Sequence, residues 1–322
     1  MDEPSTHRSD GAPGPAIQLY TLRASSDPLP TLIRRVDEAG FEGVEFAQEF
    51  LEADPRSLRN VLAETGVVPI AAHVNLERLE SNPEAVVDRC RAVGCPRVVI
   101  PHIGGGHFRT TDRIDAVATR LNALEDRLRT DGIELLYHNS REQFLPPIDL
   151  PGIGTLSRVP LPDGSWEAIT TGLSWLSGRE ESPPVARTGF GRLLERTSDR
   201  IEFEIDTGWV AAAGYDPTNV FDLVGDRLAL VHLTDAVMRR RFPLRFDSVS
   251  AGEGSVDAGR IVEAARETPA EWLVYENDDA TEPREAIRLG IDALGSLIGE
   301  PAVPEFRSEP PGRSRSRSAQ TD

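Results

Sequence analysis

The sequence predicts an α/β fold, a (β/α)8 barrel over residues 15–299, on three observations. Short runs rich in β-branched residues alternate with helical periodicity along the chain, which calls for parallel strands joined by crossover helices. The alternation repeats eight times, the number that closes a barrel. The turn after the first strand, "YTLRASSDP", lacks the glycine-rich phosphate turn expected of a doubly wound open sheet.

The elements follow in order. "IQLYTL" (17–22) reads as the first strand. In "DPLPTLIRRVDEAG", Leu29, Leu32, Ile33 and Val36 share one helical face and Gly40 supplies a stop. "GVEF" from Gly43 is the second strand, with a helix over 57–64 behind it. "VPIAAH" ends the third at His73, before a helix over 83–93. "RVVIPH" ends the fourth at His102. The helix after it places Ile114, Val117, Ala118, Leu121, Leu124 and Leu128 on one stripe. "ELLYHN" from Glu134 is the fifth strand, "IEFEID" the sixth, "LALVHL" from Leu228 the seventh and "WLVYEND" from Trp272 the eighth. The last helix carries Ile287, Ile291, Leu294 and Ile298.

One interval breaks the rhythm. The stretch over 144–189 is dense in Pro and Gly and far longer than an ordinary βα loop. It follows strand five, so it is expected on the catalytic face as a lid carrying Trp166 and Trp175. Residues 1–14 and 300–322 are polar or rich in Pro, Ser and Arg, and read as disordered ends.

Composition removes several function classes. The net charge is −18 and no Lys occurs among the 35 cations, all of them Arg. That excludes Schiff-base lysine chemistry and a Walker P-loop, and it argues against nucleic acid as a partner. An acidic, Lys-free chain fits a high-salt cytoplasm; GC-rich codon usage gives the same signature. Cys90 and Cys95 form no disulfide framework or zinc pattern. No apolar run reaches the ~20 residues of a membrane helix, and no leader is apparent, so a cytoplasmic protein with no membrane partner is expected. A homo-oligomer is allowed.

The polar residues mark the site. Active groups of such barrels hang from the carboxyl ends of the strands. His73, His102, His107, His138 and His232 all lie at or just after predicted strand ends, joined by Glu45, Asp206 and Glu276. Alternation along "IEFEID" puts Glu202 and Glu204 on the side of Asp206 but deeper. Burial there demands partners, and Arg is expected to supply them. Imidazole with carboxylate suits one divalent ion such as Mn²⁺, Co²⁺, Mg²⁺ or Zn²⁺, acting as a Lewis acid on a substrate oxygen.

"IQLYTLR", "AGFEGVEF", "YHNSREQF", "FEIDTGW", "LVHLTDA", "AGEGSVDAGRIV" and "WLVYENDD" together resemble the sugar phosphate isomerase/epimerase group of the xylose isomerase-like TIM barrels. That resemblance spans about 16–298 and implies one divalent ion held by Glu, Asp, His and Glu from strands five to eight. It carries Asp206, His232 and Glu276 over as metal ligands. At strand five the chain departs from the pattern Tyr-His-Asn-His-x-x-Glu-Phe: Ser140 replaces His and Gln143 replaces Glu. The paired acid and base of the epimerases is then incomplete unless His138 or Glu142 substitutes.

The resulting expectation is a metal-dependent isomerase or epimerase of a small sugar, with Glu276, His138 and Glu142 as catalytic groups. His73, His102, Arg23, Glu45, Asn139 and Trp209 are expected to bind the substrate. The alternative is an inosose dehydratase-like lyase using the same enediolate. An apurinic endonuclease is disfavoured because Trp209 stands where those enzymes have His, and a non-catalytic sugar-binding barrel is the remaining reading.

Overall fold

The computed structural model describes residues 12–149, 183–239, 245–249 and 252–298. The expected lid tryptophans Trp166 and Trp175, and most of both expected disordered ends, lie outside the described residues.

Eight parallel strands form a closed barrel: β1 (Gly14–Gln18), β2 (Gly43–Phe46), β3 (Val68–His73), β4 (Arg97–Ile100), β5 (Glu134–His138), β6 (Glu202–Asp206), β7 (Leu228–Leu233) and β10 (Trp272–Tyr275). Each pairs with its sequence neighbour, and β10 closes the ring against β1. An antiparallel hairpin, β8 (Asp235–Arg239) with β9 (Arg245–Val249), follows β7 outside the ring; nothing in the strand count anticipated it.

The helices are α1 (Leu29–Ala39), α2 (Pro55–Thr65), α3 (Leu76–Ser81), α4 (Pro83–Val93), α5 (Thr111–Arg129), α6 (Gly189–Arg196), α7 (Thr207–Ala212), α8 (Pro217–Val224), α9 (Ala258–Arg266) and α10 (Pro283–Ile298). Their apolar stripes pack against the outer face of the ring. On α5, the expected Ile114, Val117, Ala118, Leu121, Leu124 and Leu128 are all buried. The termini follow the local chemistry. Asp54 caps α2 by accepting from the Arg56 and Ser57 amides, and Gly66 ends that helix in the left-handed conformation.

Strand one runs Gly14–Gln18, earlier than the expected 17–22, and takes in Gly14, which was expected in the disordered start. The chain leaves the sheet after Gln18 and turns into a 3₁₀ segment over Leu19–Leu22. The Gln18 side chain accepts from the Tyr20 amide at 3.0 Å, a local bond that competes with the ladder. Strands four, five and eight also stop one to three residues before the predicted ends. The barrel therefore opens earlier, and the residues just past these strands belong to the mouth.

The lumen is layered. At its floor, Trp272 fills the space between Gly14 and Gly43; a Cβ at either glycine would lie 2.7 or 2.8 Å from the indole ring. Small and aliphatic side chains, including Ala16, Ile70, Val99 and Leu230, continue this dry layer. Above them the lumen turns polar.

Candidate metal centre

The polar layer begins with Glu45, His73, Glu204 and His232, from β2, β3, β6 and β7, all buried. His232 Nε2 lies 2.7 Å from Glu45 Oε2 and 2.9 Å from Glu204 Oε1. His73 Nε2 lies 3.0 Å from Glu204 Oε2 and 3.3 Å from Glu45 Oε1. Gln18 Nε2 donates to Glu45 Oε2 at 2.8 Å. Burial works against charge in this layer, yet proximity outweighs it. His73 and His232 pull the Glu45 carboxyl down to about 2, and Glu45 and Glu204 lift His73 to about 10. Glu204, Glu45 and Glu276 likewise hold His232 well above the ordinary imidazole value against its burial.

This answers why acids alternate along "IEFEID", and it corrects the expected partner. Glu204 is paired by two histidines rather than by Arg. Glu202, at the opposite end of the strand, is raised by burial and by Glu134, with Arg97 pulling the other way. Arg97 itself bridges Glu134 at 2.9 Å and Glu271 at 2.7 Å.

One level up, His138, Asp206, His232 and Glu276 bring one ligand atom each to within 4.8 Å of one another. The shared residue is His232, whose Nδ1 lies 2.9 Å from Glu276 Oε2. Asp206 caps α7: its Oδ1 accepts from the Trp209 amide at 2.7 Å and from Thr234 Oγ1 at 2.6 Å. Its Oδ2 has no hydrogen-bond partner, and neither does His138 Nε2. These two atoms stand 3.8 Å apart. Burial raises the Asp206 carboxyl to about 7 although His232 and Thr234 pull it down. Burial, and then His232, hold His138 well below the ordinary value, so its ring is a neutral lone-pair donor near neutral pH.

The upper group fits a divalent ion better than the lower one. In the lower group each carboxylate already faces an imidazole. In the upper group Asp206 Oδ2 and His138 Nε2 face one another with no donor between them, an arrangement that is costly unless something positive completes it.

Above this group opens a cavity of about 730 Å³ whose wall includes His73, His102, His138, Glu142, Trp209 and Glu276. Six of the expected site residues thus share one space. Arg23, Glu45 and Asn139, expected to contact substrate, do not line it. Glu45 lies beneath, bonded to Gln18 and His232. Asn139 joins β5 to β6: its Oδ1 accepts from the Asp206 amide at 2.9 Å and its Nδ2 donates to the Asp206 carbonyl at 3.3 Å. Arg23 is exposed, with its guanidinium 4.6 Å from the Tyr20 ring centroid, and it donates to the Asp278 carbonyl.

Gln143 explains the departure at strand five. It forms a capping box with Ser140 and donates to Tyr137 Oη at 2.5 Å, so it serves the turn (Arg141–Phe144). Tyr20 and Asp278 line the cavity and were missed. Asp278 stands two residues beyond Glu276, in "YENDD", and burial followed by Glu276 and Asp206 pushes its carboxyl up to about 8. No helix among the described residues is long and apolar enough to cross a membrane.

No family model matches the chain. An inosose dehydratase of Lacticaseibacillus casei is 22% identical over 284 residues, covering 76% of this chain and 82% of that protein. A sugar phosphate isomerase/epimerase structure from Parabacteroides distasonis superposes with a TM-score of 0.64 at 15% identity, covering 91% of this chain and 96% of the other. The IolI protein, solved with a bound zinc atom, gives 0.61 at 13% identity, covering 89% and 98%. In fold, the chain is a (β/α)8 barrel like these proteins.

Proposed function

We propose that the chain is a divalent-metal-dependent sugar isomerase or epimerase that works through an enediolate at the carboxyl face of the barrel. One observation carries the reading: the unpartnered Asp206 Oδ2 and His138 Nε2 converge with His232 and Glu276 at the floor of a sugar-sized cavity. Asp206, His232 and Glu276 hold the ion. His138 supplies the strand-five donor in place of the family's glutamate, because Gln143 is committed to its turn. Bound there, a divalent ion polarises a substrate carbonyl and acidifies the neighbouring C–H.

The chain's own groups do the rest. Glu142, on the turn after β5, and Glu276 are the proton carriers. His138 is the alternative carrier if it does not ligate. His73 and His102 hold hydroxyls, and Trp209 offers an apolar wall to a sugar face. Glu45 and Glu204 accept from His232 Nε2 and so aim Nδ1 at the mouth.

A second reading is a lyase that expels a β-hydroxyl from the same enediolate. The inosose dehydratase among the relatives supports it. One experiment tests both: incubate the Mn²⁺-loaded protein with ketoses and inososes in D₂O. Deuterium uptake at a carbon with the substrate otherwise intact supports isomerisation. Loss of water supports the lyase. A result with neither uptake nor loss of water in any compound refutes both.

A further inference from the structure

We propose that the cavity takes an uncharged ketose or cyclic ketopolyol and not its phosphate ester. The inference rests on the metal-dependent reading above and narrows its substrate class. Barrels of this architecture that bind phosphates use backbone amides in the loops after strands seven and eight, with the start of a short helix. Here amides of the loop after strand seven are already taken by the chain's own carboxylate, and after strand eight the Asn277 amide donates to Thr21 Oγ1 at 3.1 Å.

Asp235, directly after β7, is buried. Its Oδ2 accepts from the Gly254 amide at 2.7 Å and the Gly252 amide at 3.1 Å. Its Oδ1 accepts from the Ala236 amide at 2.8 Å and the Val256 amide at 3.0 Å. Four donors thus close around one internal anion. The fit is tight: a Cβ on Gly254 would stand 2.2 Å from Asp235 Oδ1. The short helix that starts at the site is filled in the same way, since the Trp209 amide of α7 donates to Asp206. The glycine-rich stretch "AGEGSVD" therefore looks like a phosphate cradle in sequence and is an occupied one in structure.

The cavity wall agrees. Glu49, Glu142, Glu276 and Asp278 line it, and among the described residues Arg141 is the one guanidinium that does. A divalent ion offsets Asp206 and Glu276. Glu49 and Glu142 still face any incoming dianion, and the chain has no Lys to answer it. Tyr20, Pro101 and Trp209 supply the apolar surface that the carbon face of a neutral polyol needs.

The test uses the full-length Mn²⁺-loaded protein, freed of excess metal, in calorimetric titrations with unreactive polyols. myo-Inositol and xylitol are compared with their monophosphates. The expected result is binding of at least one neutral polyol, tenfold or more tighter than its ester. An ester that binds as tightly or more tightly overturns the inference, and so does binding of none of the four. The D₂O experiment keeps the two readings apart. Exchange seen only with phosphorylated ketoses would overturn the substrate class while upholding the isomerase.

Discussion

His138 and Asp206 face one another across the barrel mouth, Nε2 3.8 Å from Oδ2, and neither atom has a hydrogen-bond partner. Both residues are buried, and their elements are locked together by Asn139 on the Asp206 backbone. A gap held open by a rigid frame is what a bound ion would fill. His138→Asn is therefore expected to weaken Mn²⁺ binding by about 10–100-fold or more, as loss of a supporting ligand does. Chelator competition measures it. If occupancy is unchanged and kcat falls by roughly 10²–10⁴-fold, His138 is the proton carrier instead.

The lower layer makes a stability claim. Glu204 contacts both His73 and His232 with no exposure to solvent. Removing one partner of such a group leaves buried charge uncompensated, which costs about 3–5 kcal/mol. Glu204→Ala is expected to lower the unfolding free energy by that order, and Glu204→Gln by less, since the amide keeps an acceptor. Urea denaturation of the metal-free proteins checks it. Equal stability of Glu204→Ala and wild type would mean the histidines are not charged there.

Most of this site was legible in the sequence because barrel architecture converts strand order into proximity. Histidines and acids from separate strand ends can only meet at one mouth. What was not legible depended on where strands stop and which way side chains turn. Glu45 and Asn139 sit at the right ends, yet one points under the floor and the other across to β6. Gln143 looked like a disabled catalytic position and is a turn residue. Asp235 read as part of a motif, but only the folded loop reveals that its carboxylate gathers four amides. Asp278 carried no periodic signal, because it lies past the end of β10.

The Glu45–His73 pair sets a pH window for the metal-free protein. Glu45 is depressed from 4.5 to about 2, so its contribution is present above pH 4.5 and lost as pH falls toward 2. His73 is raised from 6.5 to about 10, so its contribution is full below pH 6.5 and lost as pH rises toward 10. The stability difference between wild type and His73→Gln should be largest between those limits and shrink on the alkaline side. Thermal melts across pH 4 to 10 read it as a gap in Tm that closes. A gap that stays constant up to pH 10 would mean His73 is neutral throughout.

Gly254 offers a sharper test of the filled cradle. The glycine has no unusual backbone twist to preserve, since its φ is not in the left-handed range. What forbids a side chain is contact: a Cβ would meet Asp235 Oδ1 at 2.2 Å and the Ala236 carbonyl at 2.9 Å. Gly254→Ala must therefore push the loop off the carboxylate, with an overpacking cost of about 1–3 kcal/mol. Asp235→Ala removes the anion and leaves the loop amides without their acceptor, at about 1–3 kcal/mol for each one left buried and unsatisfied. If the loop's only reason for glycine at 254 is this close approach, the double variant should be more stable than the sum of the two losses implies, because truncating the side chain at 235 leaves room for a methyl group at 254. A double-mutant cycle by urea denaturation measures that coupling, expected at roughly 0.5–3 kcal/mol for residues in direct contact. Strict additivity would mean that Gly254 does not answer to Asp235.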